Sequence, residues 1–148
     1  MTTIRGFELP DHLYYLIEKH VWVAPRGGGL ARLGMTSVGY HLLRDTLVAI
    51  SVQAKVLGIA VPKGKSIAMV ESLKYIGPLP APFAGVVERV NEMVQVEPDR
   101  ATADPYGTGW IAELRTSDWE SAAAGLLTGE AAMTAYLALL QAQNIHKE

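Results

Sequence analysis

The chain has 148 residues, a size that suits one domain burying roughly 70% of its unfolded surface. Its 13 basic and 15 acidic residues nearly balance, which argues against a nucleic-acid-binding protein, and the absence of cysteine excludes disulfides, thiolate nucleophiles and cysteine-ligated metals. No apolar run approaches the roughly 20 residues that cross a bilayer, and the first residues lack a signal-peptide core. We therefore expect a cytoplasmic protein that does not contact membranes.

The N-terminal segment predicts a short helix followed by a hairpin. Asp11 can cap the helix, whose apolar stripe has the spacing of one helix face and consists of Leu13, Leu16 and Ile17. Residues 20–23 indicate a strand that ends near Pro25. The three glycines at 27–29 then predict a plain hairpin turn, because no phosphate-binding lysine follows them.

The middle of the chain predicts short strands separated by turns. Residues 33–35 return from the hairpin, and Thr36 can cap a short helix that runs to Leu43. Further strands are predicted at 47–52, 67–70 and 85–90. Short strands with frequent turns indicate a small barrel or sandwich, and they disfavour repeated βαβ units.

The C-terminal part predicts helices. Ser117 and Glu120 have the spacing of a capping box, and residues 130–143 are rich in alanine and leucine. The predicted buried stripe of this helix is Met133, Tyr136, Leu137 and Leu140. We predict one β-rich α+β domain over residues 1–148, with its core at about 20–116 and a helical tail at about 117–145.

One lysine lies between two apolar stretches at a reversal of the chain. The segment Val70-Glu71-Ser72-Leu73-Lys74-Tyr75 enters the reversal, and Ala81-Pro82-Phe83-Ala84-Gly85 follows it. The ordinary interpretation is a solvated lysine in a hairpin. The alternative is a carrier domain that presents the amine for covalent modification.

The sequence shows no pattern typical of a catalytic or metal site. The four histidines, which lack ligand spacing, are His12, His20, His41 and His146. No nucleophile elbow is present. We therefore expect a protein without a metal ion that is not itself an enzyme.

An ordered set of motifs resembles the glycine cleavage system H protein family over about five-sixths of the chain. Residues 20–23 resemble its early His-Glu-Trp segment, and residues 33–36 with 42–45 resemble its Gly-x-Thr helix and Leu-Gly-Asp turn. The lysine turn at 70–75 follows at the expected distance, and residues 104–110 match its Pro-Tyr-Gly-x-Gly-Trp block.

This resemblance implies a lipoyl- or biotinyl-type fold, a barrel-sandwich hybrid with a flattened β-barrel, a short N-terminal helix and C-terminal helices. It implies that Lys74 carries lipoate as a lipoamide arm, within an attachment turn formed by Glu71, Ser72, Leu73 and Tyr75. Biotin carriers usually place methionines beside the lysine, and 2-oxoacid dehydrogenase domains place aspartate before it and alanine after it. The implied partners are lipoate-attachment enzymes, dihydrolipoamide dehydrogenase and the glycine cleavage enzymes.

The chain departs from the family pattern at positions implied to line the cleft for the aminomethyl cargo. Val21 replaces a glutamate, Val38 replaces a histidine, and Gly77-Pro78 replaces a Ser-Asp pair. We therefore expect an apolar arm cleft that includes these residues and His41. An ammonium cargo there would lose charged hydrogen bonds worth roughly 1.5–3 kcal/mol each.

These departures, together with Gly6–Pro10 and Lys74–Pro78, resemble lipoate-binding proteins of heterodisulfide-reductase-like sulfur oxidation systems. That resemblance implies sulfane sulfur as cargo and a heterodisulfide-reductase-like complex as partner. We predict this cargo in preference to conventional glycine cleavage, which is the alternative. A homologue that has lost lipoylation is a further possibility.

Overall fold

The computed structural model describes residues 2–43, 47–52 and 54–147. The strands are β1 (Thr2–Ile4), β2 (Phe7–Leu9), β3 (Tyr14–Leu16), β4 (Val21–Gly27), β5 (Leu30–Met35), β6 (Leu47–Val52), β7 (Ala60–Val61), β8 (Ser66–Ser72), β9 (Ile76–Pro80), β10 (Gly85–Val90), β11 (Ala112–Arg115) and β12 (Leu127–Thr128). The α-helices are α1 (Ser37–Leu42), α2 (Glu92–Val96), α3 (Asp99–Ala103), α4 (Trp119–Ala124) and α5 (Gly129–Ala142). None of the described helices is long and apolar enough to cross a membrane.

The strands form three antiparallel sheets. The largest has the order β12-β3-β4-β5-β11-β10-β7, the second has the order β6-β8-β9, and the third pairs β1 with β2. This arrangement confirms the β-rich barrel-sandwich class with C-terminal helices. Within the described ranges the sheets stay open, whereas a flattened barrel was predicted. The large sheet also includes β3 and β12, which lie outside the 20–116 range predicted for the core.

Around the first hairpin the predicted turn and helix cap are confirmed, but β4 does not end near Pro25 and continues through it to Gly27. Strands β4 and β5 pair across a turn in which Gly27, Gly28 and Gly29 all have positive φ, a conformation that glycine adopts without a steric penalty. The side chain of Thr36 accepts a hydrogen bond from the Gly39 amide and so caps α1.

The predicted N-terminal helix is wrong. Residues Tyr14–Leu16 form β3, and a single 3₁₀ turn at Ile17–Lys19 follows. The reason is that this strand is buried on both faces. Its sequence is therefore an uninterrupted apolar run, without the alternation of polar and apolar residues that marks a half-buried strand. Leu16 packs into one apolar cluster, while Leu13 and Tyr15 pack into the other.

Two details of the C-terminal helices differ from the prediction. Asp118 caps α4 by accepting a hydrogen bond from the Ser121 amide, so Ser117 is not the cap. Helix α5 lies where it was predicted, but Leu137 is only half-buried. The buried residues of α5 are Ala132, Met133, Tyr136 and Leu140.

The interior consists of two apolar clusters on opposite faces of the large sheet. The first contains Leu33 of the large sheet together with Ile67 of the small one, so it joins the two sheets. The second contains Trp22 and Tyr136, so it lies beneath α5. Neighbouring residues of β4 alternate between the clusters, since Val21 belongs to the first.

A hydrogen-bonded chain ties α5 to the start of β4 and to α1. The Tyr136 hydroxyl lies 2.8 Å from Nδ1 of His20 and 2.9 Å from Oγ1 of Thr36. Burial lowers the pKa of His20 from 6.5 to about 4, although the nearby Glu18 carboxylate opposes the shift. Burial also raises the pKa of Tyr136, so the hydroxyl keeps its proton at neutral pH.

The lowered pKa of His20 makes the fold sensitive to acid. The unfolded chain takes up a proton below about pH 6.5, whereas the folded protein does so only near pH 4, so the stability contributed by the neutral ring is complete above pH 6.5 and lost as the pH falls toward 4. We expect a loss of up to about 2 kcal/mol between pH 6.5 and pH 5, at about 1.4 kcal/mol per unit.

Urea denaturation at pH 7 and pH 5 checks this expectation against His20→Asn. Asparagine tolerates the left-handed backbone of this position, where φ is 58°, and it does not titrate in this range. Every other titratable group is common to both proteins. The wild type should therefore lose more stability than the variant, and equal losses would contradict the assignment.

Candidate functional site: the lysine hairpin

The β8–β9 hairpin places Lys74 at its tip. Glu71 pairs with Ile76 in the antiparallel register, and the Ser72 amide donates a 2.8 Å hydrogen bond to the Tyr75 carbonyl. Only Leu73 and Lys74 therefore lie beyond the last backbone pairing. The lysine is exposed, as the carrier interpretation requires.

The buried Ser72 side chain braces this tip. Its hydroxyl accepts from the amides of Tyr75, at 3.0 Å, and Lys74, at 3.4 Å, and it donates to the Tyr75 carbonyl at 3.2 Å. Neither Leu73 nor Lys74 is among the described residues with positive φ, so the turn needs no glycine. Tight hairpins usually need a glycine in a left-handed conformation. Here the hydrogen bonds of Ser72 hold the turn without one.

A cavity of about 300 Å³ lies beside β9 and is mainly apolar. We call it the proline groove; its lining residues are Leu16, Glu18, Lys19, Lys63, Gly64, Ser66, Pro78 and Pro80. Among the predicted cleft residues, Pro78 lies here. Gly77 is next to it, with space for a Cβ that would sit 3.7 Å from Leu43.

A second cavity of about 240 Å³ adjoins the tip directly. We call it the histidine pocket; its lining residues are His41, Leu42, Tyr75, Asn144, Ile145 and His146. The predicted cleft residue His41 and the turn residue Tyr75 thus line the same pocket. The predicted cleft is divided between two cavities.

Val21 and Val38 do not line either cavity. Both side chains are fully buried, Val21 in the first apolar cluster and Val38 in the second. The predicted cleft must be corrected at these positions, because an arm has no surface to contact there. Their apolar character is explained by packing and says nothing about the cargo.

Several site residues were not predicted from the sequence. Lys19 and Lys63 lie far apart in the chain, and the fold brings them together at the proline groove. Asn144–His146 reach the tip because the C-terminal segment turns back, with the Lys147 amide bonded to the Arg5 carbonyl. No sequence spacing signals such contacts. Among the described residues, no group of three or more histidines and acids could hold a metal ion.

A barrel-sandwich fold with an exposed lysine on a braced hairpin is typical of carrier domains that bear a covalent swinging arm. The sequence model of the glycine cleavage H-protein family matches residues 13–138, and the chain belongs to this family. Its members carry lipoate on a lysine as a lipoamide arm, and they act as carriers, not as catalysts.

Known relatives agree with this membership. Glycine cleavage system H protein 2 of Aquifex aeolicus is 39% identical over 87% of this chain and 78% of its own. Probable glycine cleavage system H protein 2 of Sulfolobus acidocaldarius is 37% identical over 90% of this chain and 88% of its own. The crystal structure of the Mycobacterium marinum H protein superposes with a TM-score of 0.72 at 27% identity, covering 93% of this chain and all of that one.

Proposed function

We propose that this protein is a lipoyl carrier in which Lys74 bears the lipoate, and that it passes an aminomethyl group between the enzymes of glycine cleavage. The observation that carries the proposal is the exposed Lys74 at the tip of a hairpin braced by Ser72. The cargo follows the relatives from Aquifex and Sulfolobus, which are named as glycine cleavage system H proteins.

The hairpin holds the lysine amine in a defined pose for the lipoate-attachment enzyme. Acylation removes the positive charge of Lys74, and the bound lipoate supplies a dithiolane whose sulfurs take up and release the cargo. The Ser72 hydroxyl limits the motion of the tip, while the exposed Glu71 gives the attachment enzyme an acidic contact. Tethering then raises the local concentration of the arm at each partner, dihydrolipoamide dehydrogenase included.

The proline groove fits the far end of such an arm. Pro78 is four residues beyond Lys74, which corresponds to at most about 14 Å of extended chain, and the arm reaches on the order of 10 Å or more. Leu16 and the two prolines offer apolar contact to a hydrocarbon chain and ring. The Glu18 carboxylate at the groove can pair with the ammonium of an aminomethyl cargo.

Two lysines of the same groove favour a second candidate. Lys19 and Lys63 both line it, and their ammonium groups suit an anionic cargo such as a persulfide. This second candidate is transfer of sulfane sulfur to a heterodisulfide-reductase-like complex. It rests on this charge and on Gly77-Pro78, since the buried Val21 and Val38 no longer bear on it.

Glycine decarboxylase distinguishes the two cargoes. We expect the lipoylated protein to gain an aminomethyl adduct in intact mass when glycine and the enzyme are supplied. Glu18→Gln should lower the loading rate by up to about fivefold, since an exposed ion pair contributes at most about 1 kcal/mol. Glu120 on α4 is exposed and does not line the groove, so Glu120→Gln should load normally.

Failure of glycine decarboxylase to load the protein would also distinguish the two cargoes. If dihydrolipoamide dehydrogenase and NADH reduce the lipoylated protein normally but glycine decarboxylase does not load it, the aminomethyl cargo is contradicted and the lipoyl carrier stands. The second candidate would then be supported if a sulfane donor forms a persulfide adduct on the protein and Lys63→Gln forms less of it.

A further inference from the structure

The tip of the lysine hairpin is unusually apolar for a solvent-exposed turn. Leu73 is 77% exposed, Ile76 62% and Tyr75 48%, and Leu42 of α1, which shares the histidine pocket with Tyr75, is 39% exposed. We call these four residues the apolar collar. Exposed turns usually carry polar residues, so a cluster of large apolar side chains around one amine indicates a surface that a partner covers.

We propose that Leu73 and Ile76 of the apolar collar are the docking contacts for the enzyme that acylates Lys74. This inference rests on the proposed function, because it requires Lys74 to be the attachment residue. The occupant is therefore one class of partner, an acyl-transferring enzyme that uses an activated lipoyl group.

The reach of the lysine side chain singles out this partner. Five single bonds of about 1.5 Å place Nζ at most roughly 6 Å from the tip backbone. An enzyme that forms a bond to that nitrogen must cover the residues on either side of it. Enzymes that act on the sulfurs meet them at the end of an arm reaching on the order of 10 Å or more, so they can work without touching the apolar collar.

The chemistry of the step also requires close enclosure. The neutral amine attacks the carbonyl carbon of a lipoyl adenylate, the C–N bond forms as the bond to the phosphate oxygen breaks, and the amine proton leaves as AMP departs. ATP is the co-substrate that activates the lipoate. Exclusion of water protects the adenylate from hydrolysis, and apolar side chains beside the amine provide that exclusion.

The register of the hairpin adds an orientation to this contact. Glu71 and Ile76 are directly paired, so their side chains project from the same face of the β8–β9 ribbon. An apolar contact at Ile76 and a charged contact at Glu71 therefore lie side by side. A partner surface with an apolar hollow beside a basic residue would match both.

The test compares acylation with a later reaction of the same arm. Purified lipoate–protein ligase with lipoate and ATP acylates the wild type and Leu73→Ser/Ile76→Ser, and intact mass gives initial rates. We expect kcat/KM for acylation to fall about tenfold or more, mainly through an increase in KM, because the variant loses two apolar contacts that the ligase would bury on docking. The rate at which dihydrolipoamide dehydrogenase and NADH reduce the fully lipoylated variant should stay within about twofold of wild type.

The matched control is Met93→Ser/Val96→Ser on α2. These residues are similarly exposed, at 45% and 79%, and α2 contacts the Val52 end of β6, while the lysine tip adjoins its Leu47 end. The control should be acylated at the wild-type rate, and circular dichroism should show that both variants are folded.

Three outcomes would overturn the inference. Acylation of the collar variant at the wild-type rate removes the docking role, and equal losses in acylation and reduction mean that the tip itself has been disturbed. If the wild type accepts no lipoyl group at all, the proposed function fails first and the docking role fails with it, so the two failures are distinguishable.

Discussion

Replacing Lys74 with arginine should give a folded protein that accepts no lipoyl group. Arginine keeps the positive charge and nearly the length of lysine, but its guanidinium stays protonated above pH 12 and cannot form the amide. Because the residue is exposed at the tip, we expect the free energy of unfolding to change by less than about 0.5 kcal/mol. Intact mass of protein from a lipoate-proficient host measures the loss of the adduct.

Lys65→Arg is the matched control for this experiment. Lys65 is also exposed and precedes the same strand β8, at the end opposite to the tip. Its variant should keep the adduct and the carrier activity of the wild type. An adduct that persisted in Lys74→Arg would assign the attachment to another amine.

Replacing Gly34 with alanine should cost about 2–3 kcal/mol of stability. Gly34 lies opposite Trp22 in the β4–β5 pair, and an added Cβ would lie 2.8 Å from three atoms of the indole. Trp22 is fully buried, so it cannot move into solvent to make room. The strain must pass into the second apolar cluster beneath α5. Urea denaturation followed by far-UV circular dichroism measures the loss.

Gly77→Ala is the control, because Gly77 is also a strand glycine without positive φ. The nearest side-chain atom to its added Cβ is 3.7 Å away, which is ordinary contact. We expect a change of less than about 0.5 kcal/mol. A similar cost at both positions would show that loss of glycine in a strand, and not the contact with Trp22, determines the effect.

The predictable features of this protein are those set by neighbouring residues. The triple-glycine turn, the Thr36 cap and helix α5 each depend on a few adjacent residues, and the structure has them where the sequence indicates. The lysine tip belongs to the same class. Its reversal lies between two apolar segments, and the Ser72 brace is formed within four residues.

The features that could not be predicted depend on residues that are distant in the chain. The sequence of β3 indicates a helix because its two faces pack into different apolar clusters, so no polar residue marks the alternation of a strand. The family resemblance implies that Val38 lines the cleft, but its side chain on helix α1 is buried in the second cluster. The proline groove needs Leu16 and Lys63 beside Pro78, a juxtaposition that only the folded sheets create.

The two prolines of β9 also affect how copies of this domain meet one another. Pro78 and Pro80 lie on the last strand of the order β6-β8-β9, and in the described part of the chain β9 pairs only with β8. Proline has no amide hydrogen, and in sheets it occupies positions where that hydrogen would face outward. This edge therefore lacks two of the amide donors with which a second molecule could continue the sheet. This disfavours edge-to-edge pairing of β9 with another copy of the chain, the contact from which fibre-like assemblies grow.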